Sequence, residues 1–475
     1  MANEKLEIPV DPTRSGQPGD YSFDIFSIKP PSKRGNYLLE KQYLEVSVYE
    51  DIFSPNGITG YALINDTLNN PMYVPIVGEE LINFYIRSTL GAGDEGKIKF
   101  NRQFNTSGLS DQRYLASNQQ VYKIQFHSKY IDDSRAMRIS QYFSDSASNI
   151  IQSIIDDNFI TYDDGEEDIE PSASAETDII TCIIPNWYPI DAISWLTERA
   201  INNESRTADF LFYETLKGIH FRSLSTLLKQ KKVGKFTKEP TGVTLEDSDE
   251  QRQPHLYAIQ DWFIDSTCNR INNMSRGMYS SKIITHDVTT KKIGGIKQLD
   301  LDGDLSDYYE QKEGEPKYKF HYGKQFDTLT HLDKAAPSFY SNGTDTPKYY
   351  SSENNVSHHM KHTKMFEKQN DENLFPEKWT MNRQSILQQF NNWSIIVEMD
   401  GRLDFTVGDI MEFDIPSAEP LTANQQVQPL DIINSGKYLV SAIRHNFTPE
   451  KHMMTVELRR DAWKTKYDSI PDKSS

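Results

Sequence analysis

Cysteine is nearly absent: only Cys182 and Cys268 occur among 475 residues. Two thiols cannot make a disulfide framework, so folding in a reducing cytoplasm is the simpler expectation. Long apolar runs are missing too. Nowhere do about 18 apolar residues follow one another, and MANEKLEIPVDPTRSGQPGD has no basic segment ahead of an apolar one, so neither a membrane anchor nor a signal peptide is expected. Positive charge is short. Lys and Arg number 51 against 69 Asp and Glu, a formal net charge of -18, which opposes any sequence-independent grip on nucleic acid and makes a surface that repels DNA. Motifs of enzymatic phosphate or acyl chemistry are also lacking: there is no GxxxxGK[ST], GxSxG or HExxH.

What is present is a folded, polar chain. Hydrophobic residues make up 37%, with Tyr 25 and Phe 23, an aromatic content unlike that of a disordered polymer. The length predicts about two to four packed units. Residues 1–35 are rich in Pro, Gly, Ser and Lys and predict an extended N-terminal arm with no core of its own.

Alternation begins near Tyr37. Leu44, Val46 and Val48 share one face, Pro55-Asn56-Gly57 supplies a turn, and Thr59, Tyr61 and Leu63 follow, the pattern of a β-hairpin in which Val46, Val48, Tyr61 and Leu63 are expected to help close a barrel. Strands at Leu81–Arg87, Lys97–Phe100 and Gln119–Ser128 extend it to a small antiparallel barrel or sandwich over 36–131.

A mixed α/β unit is expected over 132–253. Ser144 is a candidate cap for a helix with an Ile150, Ile151, Ile154, Ile155 stripe. Ile193, Leu196 and Ala200 mark a second helix, and two strands flank Lys217-Gly218. From His255 a helix-like segment precedes alternation over Tyr279–Val288. A helix with Ile386, Leu387 and Phe390 then leads into four strands, WSIIVEM, DIMEFDI, KYLVSAIR and HMMTVELRR. Residues 254–292 with 377–462 therefore predict a second β module, interrupted by a polar insertion at 293–376 and followed by a tail at 463–475. The fold class expected is α+β, mainly β.

No constellation outweighs its ordinary structural explanation. Asp300, Asp302 and Asp304 alternate like calcium ligands, but the glycine is Gly303 and the twelfth position is Gln311, so the signature fails. His358, His359 and His362 lack a fourth zinc ligand. Asp163, Asp164, Glu166, Glu167 and Asp168 crowd a loop, whereas paired catalytic carboxylates need rigid supports. Gly91 and Gly93 miss the dinucleotide fingerprint, and Cys182 and Cys268 sit among apolar residues as core. No catalytic, cofactor-binding or metal site and no cofactor is expected, and a long chain with two β modules and no site reads as an assembly component.

Five stretches, in order, resemble the baseplate hub proteins of contractile-tailed bacteriophages. They are VSVYEDIFSPNGITGYALIND with VPIVGEELINFYIR, YPIDAISWLTERA with FLFYETLKGIHFRSL, GMYSSKIITHDVTTKK, VEMDGRLDFTVGDIMEFDIP, and SGKYLVSAIRHNFTPEKHMMTVELRRD. The resemblance runs from about 37 to 462 and extends distantly to the hub part of type VI secretion spike proteins. It implies two barrels akin to the tail-tube fold per chain, a homotrimeric ring, and no enzymatic activity. It further implies as partners the hexameric tail tube protein, a central spike protein (a lysozyme-bearing one included), neighbouring baseplate proteins, and genome DNA that passes without specific binding. The place implied is the tail baseplate of the virion, assembled in the host cytoplasm. The rival readings are a baseplate-associated peptidoglycan glycosidase and a host receptor-binding tail protein.

Overall fold

The computed structural model describes residues 19–31, 35–73, 75–88, 99–116, 118–159, 179–202, 208–238, 257–266, 270–276, 280–288, 291–300, 356–361, 376–391, 393–418 and 429–461. The chain is mainly β. The first module contains β1 (Tyr21–Lys29), β2 (Tyr37–Leu38), β3 (Tyr43–Asp51), β4 (Thr59–Asp66), α1 (Asn70–Tyr73), β5 (Leu81–Ser88), β6 (Lys99–Ala116) and β7 (Gln119–Ser128). The α/β unit follows with α2 (Lys129–Ala136), β8 (Ile139–Ser146), α3 (Ala147–Asn158), β9 (Ile179–Trp187), α4 (Pro189–Arg199), β10 (Phe210–Thr215), β11 (Gly218–Ser223) and α5 (Leu224–Leu228). Then come β12 (Lys232–Lys238), β13 (Ala258–Ser266), α6 (Arg270–Ser275), β14 (Ser280–Asp287), β15 (Lys292–Asp300) and β16 (Val356–Lys361). The last elements are α7 (Pro376–Phe390), β17 (Trp393–Asp400), β18 (Ile410–Asp414), β19 (Gly436–Phe447) and β20 (His452–Arg460).

One 13-stranded sheet carries both β modules, in the order β18-β12-β13-β17-β20-β19-β3-β4-β7-β6-β5-β1-β2. A further β18–β19 pairing closes the first six of these strands into a barrel. It is antiparallel except at β12, which runs parallel to both neighbours. The other seven strands curl around Phe26, Val46, Val48, Ile64, Phe84, Phe104 and Phe126, all buried. Here the ends meet through aromatic side chains: Phe23 lies 5.1 Å from Tyr43 and the hydroxyls of Tyr21 and Tyr43 are 2.8 Å apart. Burying four phenylalanines in stacked, edge-to-face and tilted contact supplies the apolar area that drives this closure.

The α/β unit has its own core, where α3 and α4 lay Ile150, Ile151, Ile154, Ile155, Ile193 and Leu196 against β8–β9 and β10–β11. The isoleucine stripe is buried as its spacing predicts. The cap is Ser146, whose hydroxyl accepts from the Asn149 N–H, and not Ser144, which lies inside β8. The hairpin at Lys217-Gly218 and the four late strands fall where expected.

Several expectations are corrected. Part of the N-terminal arm is a stave of the first module: β1 pairs along β5 and buries Phe26 and Ile28, a short apolar strand hidden in a composition window dominated by Pro, Gly and Lys. β12, assigned from sequence to the α/β unit, belongs to the closed barrel, with Phe236 as its one fully buried side chain. The segment from Ala258 to Ser266 is a strand, and only Arg270–Ser275 after it is helical. β14, expected in the second barrel, instead forms a three-stranded sheet with β15 and β16, so this small sheet joins residues on both sides of the expected boundary at 293. β6 extends to Ala116, well beyond the expected Phe100, through three register shifts that a period-2 search does not follow.

The hairpin after Tyr43 also changes face. Val46 and Val48 point inward as expected, but their partners across the ladder are Ala62 and Gly60, and Ala62 and Ile64 are the buried apolar residues of β4, with Asp66 buried at its end. Tyr61 and Leu63 lie on the outer face, and a register shift between Tyr43 and Glu45 leaves Leu44 exposed. The reason is close approach: a Cβ on Gly60 would meet the Phe126 ring and the Ser47 carbonyl oxygen at 2.4 Å, so the inward row of β4 needs its smallest residues there.

Candidate functional site: the seam between the two barrels

Two barrels on one sheet must meet at a seam, and that seam is the β3–β19 ladder. It runs antiparallel from Phe447 opposite Val46 to Ala442 opposite Asp51. Strand side chains alternate, so the seam has an outer and an inner row.

On the outer row, Arg444 donates to Glu45 at 2.9 Å and to the Tyr61 hydroxyl at 3.1 Å, and Tyr61 donates to Glu45 at 2.8 Å. Partial burial raises the Glu45 pKa, but Tyr61, Ser47 and Arg444 outweigh it and hold the carboxyl below its ordinary value. This network is half exposed and salt-screened, so its contribution is small.

The inner row is charged and buried. Glu50 shares the inward parity of Val46 and Val48, and it is 1% exposed. Its carboxylate accepts from the Leu216 N–H at 3.2 Å and the Thr406 hydroxyl at 2.6 Å, and lies 3.5 Å from Nε2 of His445. One side chain thereby ties β3 to the turn of the β10–β11 hairpin and to the β17–β18 loop. Burial pushes the Glu50 carboxyl up, but His445, Thr406 and the Leu216 N–H outweigh it and hold it below its usual range.

Next along the row, Nδ1 of His445 and Nε2 of His452 are 3.1 Å apart, and the His452 ring stacks 4.1 Å from Phe447. Burial, and then the neighbouring His445, hold the His452 pKa well below 6.5.

A second buried carboxylate joins the α/β unit to the first module. Glu214 on β10 accepts from the Ile58 N–H at 3.0 Å and from the Ser128 hydroxyl, with Nη2 of Arg102 at 3.7 Å. Arg102 donates to the Thr215 carbonyl at 2.8 Å and the Leu216 carbonyl at 3.3 Å. Burial outweighs Arg102 and these hydrogen bonds, leaving the Glu214 carboxyl raised. Buried charges persist only when paired and hydrogen-bonded, and these are.

Apolar side chains also reach the surface. Leu68, Met72, Tyr73, Tyr114 and Leu115 are exposed near the end of the first module where Asp66 pairs with Gln120. Tyr142, Ile179 and Ile183 are exposed on β8–β9. Contiguous exposed apolar groups mark contact surfaces more often than chance.

The residues weighed from sequence fall elsewhere. Asp163, Asp164, Glu166, Glu167 and Asp168, Gly91 and Gly93, Asp302, Gly303, Asp304 and Gln311, His362 and Cys268 lie outside the described residues. Asp300 ends β15, and His358 and His359 occupy consecutive positions on the strand β16. Cys182 is buried in the α/β core. Among the described residues, no three His, Cys, Asp or Glu are arranged to hold a metal ion, and no helix is long and apolar enough to cross a membrane. Glu50, His445, Arg102 and Glu214 were not singled out from sequence. The available signal was a charged or imidazole side chain at an inward position of an otherwise apolar strand parity, as in Val46-x-Val48-x-Glu50.

Fold and seam together define an α+β, mainly β scaffold with two barrels held on one sheet, and its sequence resembles the baseplate hub proteins of contractile-tailed phages. No protein-family model matches the chain. It is 21% identical over 439 residues to a probable baseplate hub protein, gp334, of Vibrio phage KVP40, a match covering 89% of this chain and 91% of that one. Among solved structures, the 43 kDa tail protein of prophage MuSo2 from Shewanella oneidensis superposes with a TM-score of 0.44 at 8% identity, covering 92% of this chain and 98% of that one. The tail protein from Neisseria meningitidis MC58 gives 0.43 at 7% identity, with 94% and 98% covered.

Proposed function

We propose that this chain is the baseplate hub of a contractile phage tail: a ring of three copies that joins the hexameric tail tube to the central spike and lets the genome pass. The observation that carries the reading is the similarity to the Vibrio phage hub protein across 89% of the chain. The two-barrel frame supports it physically. A closed six-stranded barrel and a curled seven-stranded module locked on one sheet give each copy two β modules, so three copies would offer six to a sixfold tube and three subunits to a threefold spike. Closed rings of heterologous contacts have this logic.

The work is binding, at surfaces presented to tube, spike and neighbouring baseplate proteins in the virion. The net charge of -18 favours a passage whose carboxylates outnumber its cations, past which DNA slides without adsorbing. A ring whose passage is lined mainly by Lys and Arg refutes that part.

Sedimentation of the purified chain, alone and with spike and tube proteins, tests the whole. The expected species has three times the 54.8 kDa chain mass in at least one mixture. A strict monomer in every mixture, binding neither protein, overturns the reading. Peptidoglycan hydrolysis abolished by replacing Asp163 and Glu166 would replace it with the glycosidase reading.

A further inference from the structure

We propose that His445 and His452 form a proton-operated clasp on the inter-barrel seam, locked while the row holds at most one imidazolium and opened by a second proton. The geometry sets this limit. Nδ1 of His445 faces Nε2 of His452 at 3.1 Å, so one must donate and the other accept. Protonating both rings would turn two N–H groups head to head at that distance, with two like charges in a site closed to water. His445 is 0% exposed and His452 2%. One positive charge is provided for, since Nε2 of His445 is 3.5 Å from the Glu50 carboxylate. Among the described residues, His452 has no counter-charge in this row, and the charge acting on it is that of His445.

The groups around the row can be named by element. β3 contributes Glu50, β19 His445 and β20 His452. β1 brings Tyr21, its ring centre 6.1 Å from that of His452 and its hydroxyl bound to the Thr448 carbonyl at 2.5 Å. The β17–β18 loop brings Thr406, with Asp409 behind it, and the Asp400–Lys451 ion pair flanks the start of β20. From the β10–β11 hairpin come Tyr213, Glu214, Lys217, His220 and Arg222, with Arg102 of β6 beyond Glu214.

His452 is also where opening would be felt. Its N–H donates to the Gly19 carbonyl at 2.9 Å, and its carbonyl accepts from the Gly401 N–H at 2.8 Å. The ring lies so close to Gly401 that a Cβ there would come within 2.0 Å of it. A ring forced to move therefore presses on the start of the β17–β18 loop and on the segment entering β1.

The sign follows from linkage. His452 is held neutral in the folded chain by burial and by His445, and titrates ordinarily when unfolded. Its contribution is complete above about pH 6.5 and is lost as pH falls below that value, at about tenfold in the opening equilibrium per pH unit. His220, pushed down to about 4 by burial and then Arg222, adds a loss of the same sign. Glu50, held below its ordinary value, adds one only below about pH 4.5.

The test is amide hydrogen exchange on the full chain at pH 7.5 and pH 5, corrected for intrinsic rates and read at Val46–Asp51 and Ala442–Phe447. His452→Gln keeps a polar side chain that cannot take up the proton. Relative to pH 7.5, opening of the seam at pH 5 is expected to rise about thirtyfold more in the wild type than in His452→Gln. Equal rises in both overturn the clasp. If the variant does not fold, 13C-histidine NMR of the wild type decides: a resonance assigned to His452 that titrates near 6.5 with the seam amides still protected overturns the proposal. One that stays neutral until those amides exchange supports it.

Discussion

Replacing Glu50 by Ala should separate the inner row of the seam from the outer one. The substitution strips the acceptor from the Leu216 N–H and the Thr406 hydroxyl and leaves His445 without its carboxylate, all at a site that is 1% exposed. Hydrogen bonds to a charged group contribute about 1.5–3 kcal/mol each, and breaking a buried pair from one side typically costs about 3–5 kcal/mol. We expect a loss in that range, localised to the seam, because those partners come from three other elements. Glu45→Ala, five residues earlier on the same strand, removes an ion pair to an Arg444 side chain that is 39% exposed, and should cost under about 1 kcal/mol. A protein of several cores need not unfold in one step, so global melting is a poor reporter. Amide exchange along β3 and β19 at pH 7.5 reads local opening directly, and there about 3–5 kcal/mol corresponds to roughly two to four orders of magnitude in rate. Exchange in Glu50→Ala within about threefold of wild type would refute the reasoning. So would a Glu45→Ala variant that opens the seam as far as Glu50→Ala does.

Two further substitutions test the packing account. Ala62→Asp places an unpaired charge in the first module's core and should abolish its fold, whereas Leu63→Asp, on the outer face, should shift stability by about 1 kcal/mol or less; circular dichroism and urea titration distinguish them, and the reverse order would show the hairpin register to be wrong. Glu50→Met with His445→Leu should recover only the part of the Glu50→Met loss that comes from leaving His445 without its carboxylate, because the Leu216 N–H and the Thr406 hydroxyl stay without an acceptor; urea midpoints for the single and double variants check this, and a double variant no better than the single one counts against it.

Much of the scaffold could be read from alternation, and the exceptions have physical causes. β5, β7 and β20 keep a period of two because each has one face on a core and one toward water, and β3, β17, β18 and β19 keep it over part of their length. β12 shows no such period, because only Phe236 is fully buried in a lysine-rich strand, and Lys232 and Lys235 reach out to Glu412 and Asp414. β13 carries Trp262, Phe263 and Ile264 in succession with the last two exposed, which breaks alternation and mimics a helical face. The seam was legible only as an anomaly. Glu50 in an apolar parity announces a buried carboxylate, but its partner residues lie 166 and 356 positions away, beyond any local pattern.

The buried charges raise a question of purpose, because an apolar seam of the same shape would hold at least as firmly. What an apolar seam would lack is a unique register. Valines and isoleucines facing one another across β3 and β19 could slip by two residues and still bury the same face. Glu50 cannot slip: opposite Ile443 it meets the Leu216 N–H and the Thr406 hydroxyl, and two residues either way, a displacement of about 7 Å, would leave it buried without either. Because those donors belong to the β10–β11 hairpin and the β17–β18 loop, the same carboxylate also fixes the α/β unit against both barrels. We infer that the charges are there for angle more than for strength. The hub proposed above would need that constraint to hold its two β modules at a set spacing, and a single self-sufficient barrel would not.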